Sequence, residues 1–134
     1  MIELVTIGFV ESPLRSREAA PKQGDEGAPE AWLAFDAKYA DALEGVAAGD
    51  ELMLLTWLDR ADRDVLRVHP RGDLERPELG VFATRSPDRP NPIGLHRVTV
   101  LEVDGTRLRV RDLEAIDGTP LVDVKPVLRA VDER

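Results

Sequence analysis

The chain has 134 residues, contains no cysteine and has a formal net charge of −8 at pH 7. This length is typical of a single domain, so we expect one domain over residues 1–134. The absence of cysteine excludes disulfides and thiolate metal sites, and no apolar run approaches the length of a membrane helix. The N-terminus also lacks the basic region and cleavage site of a signal peptide. We therefore expect a cytoplasmic protein without a membrane segment or a metal.

The first half of the chain is predicted to contain two strands, a long loop and one helix. Residues 2–10 are apolar and β-branched, which indicates a strand, and residues 14–30 form a loop rich in glycine and proline. Across residues 30–45, apolar side chains recur every three or four positions and predict a helix with one buried face. Residues 51–58 are a continuous apolar run typical of a buried strand.

The rest of the chain is predicted to consist of short strands joined by turns. Further strands are expected at residues 65–69, 79–84, 95–103, 106–113 and 120–124. Asp-Gly pairs at positions 104–105 and 117–118 mark tight turns between them. About seven strands without alternating helices favour a mainly β fold, a small antiparallel β-barrel with one or two peripheral helices.

The segment GVFATRSPDRPNPIG, residues 80–94, places three prolines within six residues. Each proline fixes φ and restricts the residue before it, so this segment is expected to be stiff and extended. Arg85 and Arg89 supply planar guanidinium groups that suit a carboxylate or a phosphate. The residues alone leave two interpretations open: a binding loop, or a rigid connector whose arginines pair with nearby acids.

A second group of cations lies near the C-terminus. Arg107, Arg109 and Arg111 alternate with apolar residues, which places them on one face of a predicted strand. Together with Lys125 and Arg129 they would form a basic track for RNA phosphates. The alternative is an ordinary solvated sheet face, because an acidic chain is in general a poor binder of nucleic acid.

Three blocks of sequence carry a resemblance to a known family. They are IGFVESP at residues 7–13, GVFATRSPDRPNPIGL at residues 80–95 and AIDGTPLVDVKP at residues 115–126. These blocks closely resemble the TrmO family of tRNA methyltransferases. The resemblance implies a β-barrel, usually a homodimer, that binds S-adenosylmethionine and methylates N6 of threonylcarbamoyladenosine beside the tRNA anticodon. The chain has no GxGxxG turn after a strand, so an ordinary dinucleotide-type site is not available.

The resemblance also implies which residues bind the cofactor. The family has a Pro-Arg-Gln triplet that matches Pro21, Lys22 and Gln23, and Lys22 keeps the charge without the guanidinium fork. A His-Gln-type pair at the end of the long apolar strand matches Asp59 and Arg60, which is a departure from the family pattern. The remaining positions match unchanged: Arg85, Leu95, Asp117, Gly118, Thr119 and Pro120.

S-adenosylmethionine carries a sulfonium, an ammonium and a carboxylate, and these residue types suit it. Arg85 suits the carboxylate, and Asp59 or Asp117 suits the cationic groups. Leu95 would lie against the adenine ring. The Asp117–Gly118 pair has a plain alternative as a hairpin turn without a ligand.

Methyl transfer requires in-line positioning of the acceptor and a group that takes the N6 proton. Asp59, Glu114 and Asp117 are the candidate bases, with Asp59 and Asp117 preferred and His96 ranked after all three. A lone histidine in such a position is more typical of a structural role. In the stiff proline segment, the candidate substrate-binding residues are Arg89 and Asn91.

Three functions remain open at this point. The family motifs favour a tRNA N6-methyltransferase. The acidic balance and the Asp59 departure favour a methyltransferase of the same fold that acts on a small molecule. The third is an S-adenosylmethionine-binding protein without catalysis.

Val127 stands where the family often has Tyr, which would remove a stacking surface for a base.

Overall fold

The computed structural model describes residues 1–128 of the chain. These residues contain eight strands: β1 Gly8–Glu11, β2 Ala31–Phe35, β3 Glu51–Trp57, β4 Arg67–Val68, β5 Leu79–Gly80, β6 Ile93–Asp104, β7 Arg107–Arg111 and β8 Pro120–Pro126. Short 3-10 helices occupy Ala37–Leu43, Pro70–Gly72 and Val81–Ala83.

Six strands close into a barrel in the order β1–β2–β7–β6–β3–β8, and β8 completes the ring by pairing with β1. Every pair of neighbouring strands is antiparallel. Strands β4 and β5 form a separate two-stranded sheet. The predicted antiparallel β-barrel is confirmed, with six strands in the ring and two outside it.

Alternating side chains of the strands fill the barrel interior. Leu33, Leu54, Leu108 and Leu121 come from four different strands and have no exposed surface. Burial of one such side chain stabilises the folded state by about 1.5–3 kcal/mol. A slip of one residue in any pairing would turn these side chains to solvent, so the apolar alternation fixes the register of the barrel.

The helix predicted over residues 30–45 is wrong. The first part forms β2, which pairs with β1 and β7, and only Ala37–Leu43 is helical, as a 3-10 helix capped by the side chain of Asp36. Alternate residues of β2 are buried, so a period of two governs this segment. Trp32 lies on the outer face, where the guanidinium of Arg107 is 4.5 Å from its ring centroid.

Other predicted strands differ in length. The strand expected at residues 2–10 begins only at Gly8. Residues 1–6 are exposed, and Ile7 is joined to the barrel by single backbone hydrogen bonds with Leu121 and Asp36. The strands expected at residues 65–69 and 79–84 shrink to the two-residue pair β4–β5. In contrast, β6 is longer than the predicted 95–103 because it pairs along most of its length with β3 and β7.

Antiparallel pairing brings several loops to one end of the barrel. Strands β1, β3 and β7 all end at this mouth, and β2, β6 and β8 all begin there. The connections 12–30, 58–92 and 112–119 therefore surround the same opening. All three sequence blocks that carry the family resemblance contribute to these connections, so the motif residues gather at the barrel mouth.

Candidate functional site

A cavity of about 610 Å³, here called the first cavity, lies at the barrel mouth. Its wall combines residues of the loop after β1, the end of β3, the proline-rich segment, the start of β6 and the β7–β8 connection. Apolar side chains such as Leu58, Leu95 and Ile116 alternate with charged ones in this wall. A concave site with an apolar lining and a few charged groups is typical of a small-molecule or cofactor site.

Most of the predicted cofactor-binding residues line this cavity: Pro21, Lys22, Gln23, Asp59, Arg60, Arg85, Leu95 and Thr119. They come from segments far apart in sequence, and the barrel topology brings them together. The predicted substrate-binding residue Arg89 lines the cavity as well. The structure therefore groups the positions that the family resemblance selects from the linear sequence.

Asp117, Gly118 and Pro120 are not part of the cavity wall. The carboxylate of Asp117 accepts the backbone N–H of Ser12 at 3.0 Å and the guanidinium of Arg15 at 2.8 Å. Gly118 has a φ of 83°, which favours glycine, and its N–H donates to the backbone oxygen of Val10 at 2.8 Å. In this arrangement the Asp117–Gly118 pair fastens the β7–β8 connection to the end of β1.

Arg89 and Asn91 are both engaged within the protein. The guanidinium of Arg89 donates to the backbone oxygens of Val81, Thr84 and Ser86 at 2.7–3.1 Å. The prolines of this segment lack N–H donors, and Arg89 supplies donors to its carbonyls instead. Asn91 lies outside the first cavity, and its side-chain oxygen accepts a hydrogen bond from Arg63 at 3.1 Å.

Asp88, in the proline-rich segment, connects this segment by hydrogen bonds to two other segments around the first cavity. Its carboxylate accepts the guanidinium of Arg17, in the loop after β1, at 3.1 Å and the backbone N–H of Asp62, in the loop after β3, at 2.8 Å. Partial burial raises the pKa of Asp88, but the hydrogen bonds from Arg17 and Asp62 outweigh it and hold the pKa below its usual range. The ionised carboxylate is thus the form that holds these loops together.

Gly24 seats the loop that carries Pro21, Lys22 and Gln23 against the end of β7. A Cβ atom at Gly24 would lie 1.6 Å from the backbone oxygen of Asp112, so no other residue fits without moving the loop. Close backbone approach of this kind is a common reason for glycine.

A buried polar network forms the floor of the first cavity, and the sequence did not reveal its connections. His96 Nδ1 lies 2.5 Å from Oε1 of Glu114, and His96 Nε2 lies 2.7 Å from Oγ1 of Thr56. The side chain of His96 is 4% exposed and that of Glu114 is 17% exposed. Gly94 makes room for the network, because a Cβ atom there would lie 2.4 Å from Thr56 Oγ1.

The sequence of β6 contains a signal for this network, because buried and exposed residues alternate along the strand. Positions 94, 96, 98 and 100 all face the interior, so His96 occupies a core position of the strand. A histidine at such a position needs hydrogen-bond partners, because a buried polar group without one is costly. The identity of the partners depends on the pairing of β6 with β3 and on the β7–β8 connection.

The predicted basic track is neutralised by ion pairs. Arg107 pairs with Glu11, Arg109 pairs with both Glu30 and Glu102, Arg111 pairs with Asp112, and Lys125 pairs with Asp123. The hydrogen bonds to Glu102 and Glu30 raise the pKa of Arg109. Arg129, the last member of the track, lies outside the described residues. This face therefore matches the alternative interpretation of a solvated sheet face.

The titratable residues between Met1 and Leu128 include no group of three or more His, Asp or Glu side chains that could hold a metal ion. The second histidine, His69, lies beside the small sheet, where its Nδ1 is 2.9 Å from the backbone oxygen of Arg76. The helices in this part of the chain are too short and too polar to cross a membrane.

A family model described as the tRNA-methyltransferase O N-terminal domain matches residues 9–133. The chain belongs to this family. The resemblance carried by the three sequence blocks is thereby confirmed.

Curated relatives from archaea are similar over almost the whole chain. An Archaeoglobus fulgidus protein named S-adenosyl-L-methionine-binding protein is 45% identical over 129 residues, which cover 96% of this chain and 91% of the relative. A Methanothermobacter thermautotrophicus protein, named a probable S-adenosyl-L-methionine-binding protein, is 44% identical over 131 residues, which cover 98% of this chain and 93% of the relative.

Solved structures of TrmO are also similar in fold. One crystal structure of TrmO superposes on this chain with a TM-score of 0.78 and 29% sequence identity, and the match covers 61% of the TrmO chain. The crystal structure of TrmO from Pseudomonas aeruginosa has a TM-score of 0.77 and 28% identity and is matched over 59% of its length. Both matches cover 100% of this chain, which thus spans about 60% of the length of these TrmO chains.

Proposed function

We propose that the chain is an S-adenosylmethionine-dependent methyltransferase whose cofactor lies in the first cavity. The observation that carries this proposal is the convergence of separate chain segments on one cavity, at positions that the family resemblance assigns to the cofactor. The names of the Archaeoglobus fulgidus and Methanothermobacter thermautotrophicus relatives support the same cofactor.

The first cavity offers the kinds of group that S-adenosylmethionine requires. Arg85 forms no ion pair with the carboxylates of residues 1–128, so its guanidinium is available for the cofactor carboxylate. Asp59 and Glu114 provide carboxylates for the cationic groups, and Leu95, which is 41% exposed, provides apolar surface for the adenosine. The cavity volume also falls within the range of about 300–1,000 Å³ that is usual for ligand sites.

When bound, the cofactor supplies an activated methyl group on its sulfonium. The residues of the chain then have two tasks, to hold the acceptor in line with that methyl and to accept the proton that the acceptor nitrogen loses. Asp59 and Glu114 are the candidates for the second task, because both line the first cavity. Asp117 lies outside it and is already bonded to Ser12 and Arg15.

The acceptor that we propose is threonylcarbamoyladenosine in tRNA, methylated at N6. Membership of the tRNA-methyltransferase O family supports this acceptor. A small-molecule acceptor is the second candidate, favoured by the net charge of −8 and by the neutralised arginines of β7. A protein that binds the cofactor without catalysis is the third.

The resemblance also implies a homodimer, and the absence of cysteine fits a location in the cytoplasm. Exposed apolar side chains beside the small sheet support a second copy as partner. Phe82 is 83% exposed and Leu66 is 64% exposed, and the hydrogen bond from Val81 N–H to the backbone oxygen of Leu66 brings their segments together. Light scattering of the purified chain would test this assembly.

The acceptor class is tested by following a labelled methyl group. The chain is incubated with methyl-labelled cofactor and either total tRNA or the small-molecule fraction of a cell extract. Label in tRNA supports the proposed function, and label only in small molecules supports the second candidate. Calorimetric binding of the cofactor without label in either fraction leaves only the non-catalytic role.

A further inference from the structure

Thr56, His96 and Glu114 form a row of hydrogen-bonding side chains that leads from the barrel interior to the first cavity. Thr56 lies on β3 and has no exposed surface, and the side chain of His96, on β6, is 4% exposed. Glu114, in the β7–β8 connection, is 17% exposed and lines the first cavity. Exposure thus increases from Thr56 to Glu114, and the carboxylate is the end that a ligand in the cavity reaches.

The antiparallel pairing of β3 with β6 builds the buried end of this row. Thr56 lies opposite Gly94, and Leu54 lies opposite His96, so the Thr56 hydroxyl and the His96 ring meet diagonally across the two strands. A Cβ atom at Gly94 would lie 2.4 Å from Thr56 Oγ1 and 2.7 Å from His96 Nε2. The missing side chain at position 94 is therefore what allows the two polar groups to meet.

The hydroxyl of Thr56 decides where the proton of the His96 ring lies. Within residues 1–128, Thr56 Oγ1 forms one hydrogen bond, to His96 Nε2 at 2.7 Å. A buried hydroxyl needs an acceptor for its proton, so Nε2 is assigned as that acceptor and carries no proton itself. The proton of the neutral ring then lies on Nδ1, which donates it to Oε1 of Glu114 at 2.5 Å.

The other arrangements of protons leave one buried group without a partner. A proton on Nε2 would point at Thr56 Oγ1, and the hydroxyl proton would then have no acceptor among residues 1–128. This is true of a cationic ring and of a neutral ring that accepts a proton from Glu114. An unsatisfied buried donor destabilises the folded state, so the contacts favour a neutral His96 that donates to an ionised Glu114.

The second carboxylate oxygen of Glu114 lies beside the loop that carries predicted cofactor-binding residues. A Cβ atom at Gly24, the residue that follows residues 21–23, would lie 2.9 Å from Oε2 of Glu114. Oε2 accepts no hydrogen bond from residues 1–128, whereas Oε1 is held by His96. Since one oxygen is fixed, the orientation of the carboxylate is fixed as well, and the free oxygen stays next to this loop.

We infer that Thr56 and His96 are positioning residues for methyl transfer, which hold Glu114 ionised with Oε2 free for the acceptor. This assignment rests on the methyltransferase function proposed above. The bond from sulfur to the methyl carbon breaks as the bond from the acceptor nitrogen forms, the nitrogen's proton passes to Oε2, and a neutral thioether is left. Because Nδ1 already carries a proton, Glu114 cannot pass the new proton inward to His96, so that proton leaves through the first cavity.

The arrangement of protons is tested on the wild type by two-bond proton–nitrogen correlation NMR of the labelled chain at neutral pH. The chain has two histidines, His69 and His96, and a His69→Gln variant assigns their signals. We expect a neutral His96 ring with an unprotonated Nε2 and a protonated Nδ1. A protonated Nε2, in a neutral or a cationic ring, would overturn the assignment and would leave the methyltransferase function standing.

The positioning role is tested by a matched pair of variants at each residue. His96→Asn keeps an N–H donor close to the position of Nδ1, and His96→Leu removes it. Thr56→Ser keeps the hydroxyl, and Thr56→Val removes it. Single-turnover transfer is measured on tRNA that contains threonylcarbamoyladenosine without its methyl group, and cofactor affinity is measured by calorimetry.

We expect His96→Leu to lower the transfer rate by about 10²-fold, the usual effect of misplacing a reacting group by roughly 1 Å. His96→Asn is expected to recover most of this loss. Thr56→Val is expected to cause a smaller loss, which Thr56→Ser recovers. Cofactor affinity should change much less than the rate in all four variants, because the two residues act through Glu114.

A double-variant cycle with Glu114→Gln separates positioning from a general loss of structure. If His96 acts through Glu114, His96→Leu causes no further loss of rate in the Glu114→Gln background. Additive losses would overturn the assignment, as would equal rates for His96→Leu and His96→Asn. If urea unfolding shows that His96→Leu does not fold, the comparison of Thr56→Val with Thr56→Ser decides instead, and equal rates for those two would overturn it.

Failure of this role and failure of the proposed function give different results. A wild type that binds the cofactor but transfers no methyl group to the tRNA would reject the tRNA function together with this role. An active wild type with variants that transfer the methyl group equally fast would reject the role of Thr56 and His96 alone.

Discussion

His96 and Glu114 are joined inside the barrel mouth by a contact of 2.5 Å between Nδ1 and Oε1. The other ring nitrogen of His96 is 2.7 Å from the hydroxyl of Thr56, so both nitrogens are occupied and the ring has no free atom for a substrate. Glu114 lines the first cavity, and its Oε2 forms no hydrogen bond with residues 1–128. The geometry makes His96 a positioning residue, and we propose Glu114, ahead of Asp59, as the group that accepts a proton from the acceptor.

Glu114→Gln is expected to lower kcat for methyl transfer by about 10²–10⁴-fold, the usual contribution of a general base. Cofactor affinity should change much less. Asp117→Asn is the matched control, because Asp117 lies outside the first cavity and is bonded to Ser12 and Arg15. Single-turnover kinetics on both variants checks this. A large loss of kcat in Asp117→Asn with none in Glu114→Gln would show that Asp117, and not Glu114, is the base.

Arg85→Ala is expected to weaken cofactor binding by about 1–3 kcal/mol, the free energy of a lost charge-assisted hydrogen bond. Arg97→Ala removes the same charge from a position outside the first cavity, where Arg97 pairs with Glu51 at 2.8 Å. Calorimetric titration of S-adenosylmethionine into both variants measures the difference. Unchanged affinity in Arg85→Ala would remove Arg85 from the cofactor site.

Gly94→Ala is expected to lower the free energy of unfolding by about 1–3 kcal/mol, because the new Cβ would lie 2.4 Å from Thr56 Oγ1 and 2.7 Å from His96 Nε2. Gly80→Ala is the control, since its Cβ would have no neighbour nearer than 3.9 Å. Urea unfolding compares the two. Equal stability of both variants would mean that the barrel mouth accommodates the added methyl without disturbing the His96 network.

Gly24→Ala is expected to weaken cofactor binding without destabilising the barrel. Its Cβ would meet the backbone oxygen of Asp112 at 1.6 Å, which forces the loop with Pro21, Lys22 and Gln23 away from β7. We expect weaker binding of S-adenosylmethionine with little change in the unfolding midpoint, because this loop contributes no strand to the barrel. If Gly24→Ala binds S-adenosylmethionine as tightly as the wild type does, this loop is not part of the cofactor site.

The lowered pKa of Asp88 predicts a pH-dependent contribution to stability. A carboxyl whose folded-state pKa lies below its unfolded value of 3.8 stabilises the fold at pH values above 3.8. That contribution is lost as the pH falls through the lower folded-state pKa. The difference in unfolding free energy between the wild type and Asp88→Asn should therefore be constant near neutral pH and shrink in acid. A difference that grows in acid would contradict the ion pair with Arg17.

The sequence predicted the barrel because apolar alternation and Asp-Gly turns are local signals. It failed at residues 30–45, where Trp32, Phe35, Tyr39 and Leu43 happen to follow a helical spacing. In the fold, the ladder bonds of this segment to β1 and β7 decide its conformation, and these partners are distant in the chain. Tertiary pairing overrides local spacing in such a case.

The site was predictable in part for a related reason. Contiguous motifs identified most residues of the first cavity, since a motif is visible in a linear sequence. His96 contacts Glu114, 18 positions away in the sequence, and Arg17 contacts Asp88, 71 positions away. No local sequence pattern predicts contacts between residues so far apart. The ion pairs of Arg107 and Arg109 depend likewise on strand register, so the proposed basic track could not be judged beforehand.

The tRNA methyltransferase function is tested most sharply with tRNA that contains threonylcarbamoyladenosine but lacks its methylation. This tRNA is incubated with the chain and S-adenosylmethionine, digested to nucleosides and analysed by mass spectrometry. We expect threonylcarbamoyladenosine heavier by one methyl group, formed far more slowly by Glu114→Gln than by the wild type. An unmodified nucleoside, in a sample where cofactor binding has been verified, would contradict this function.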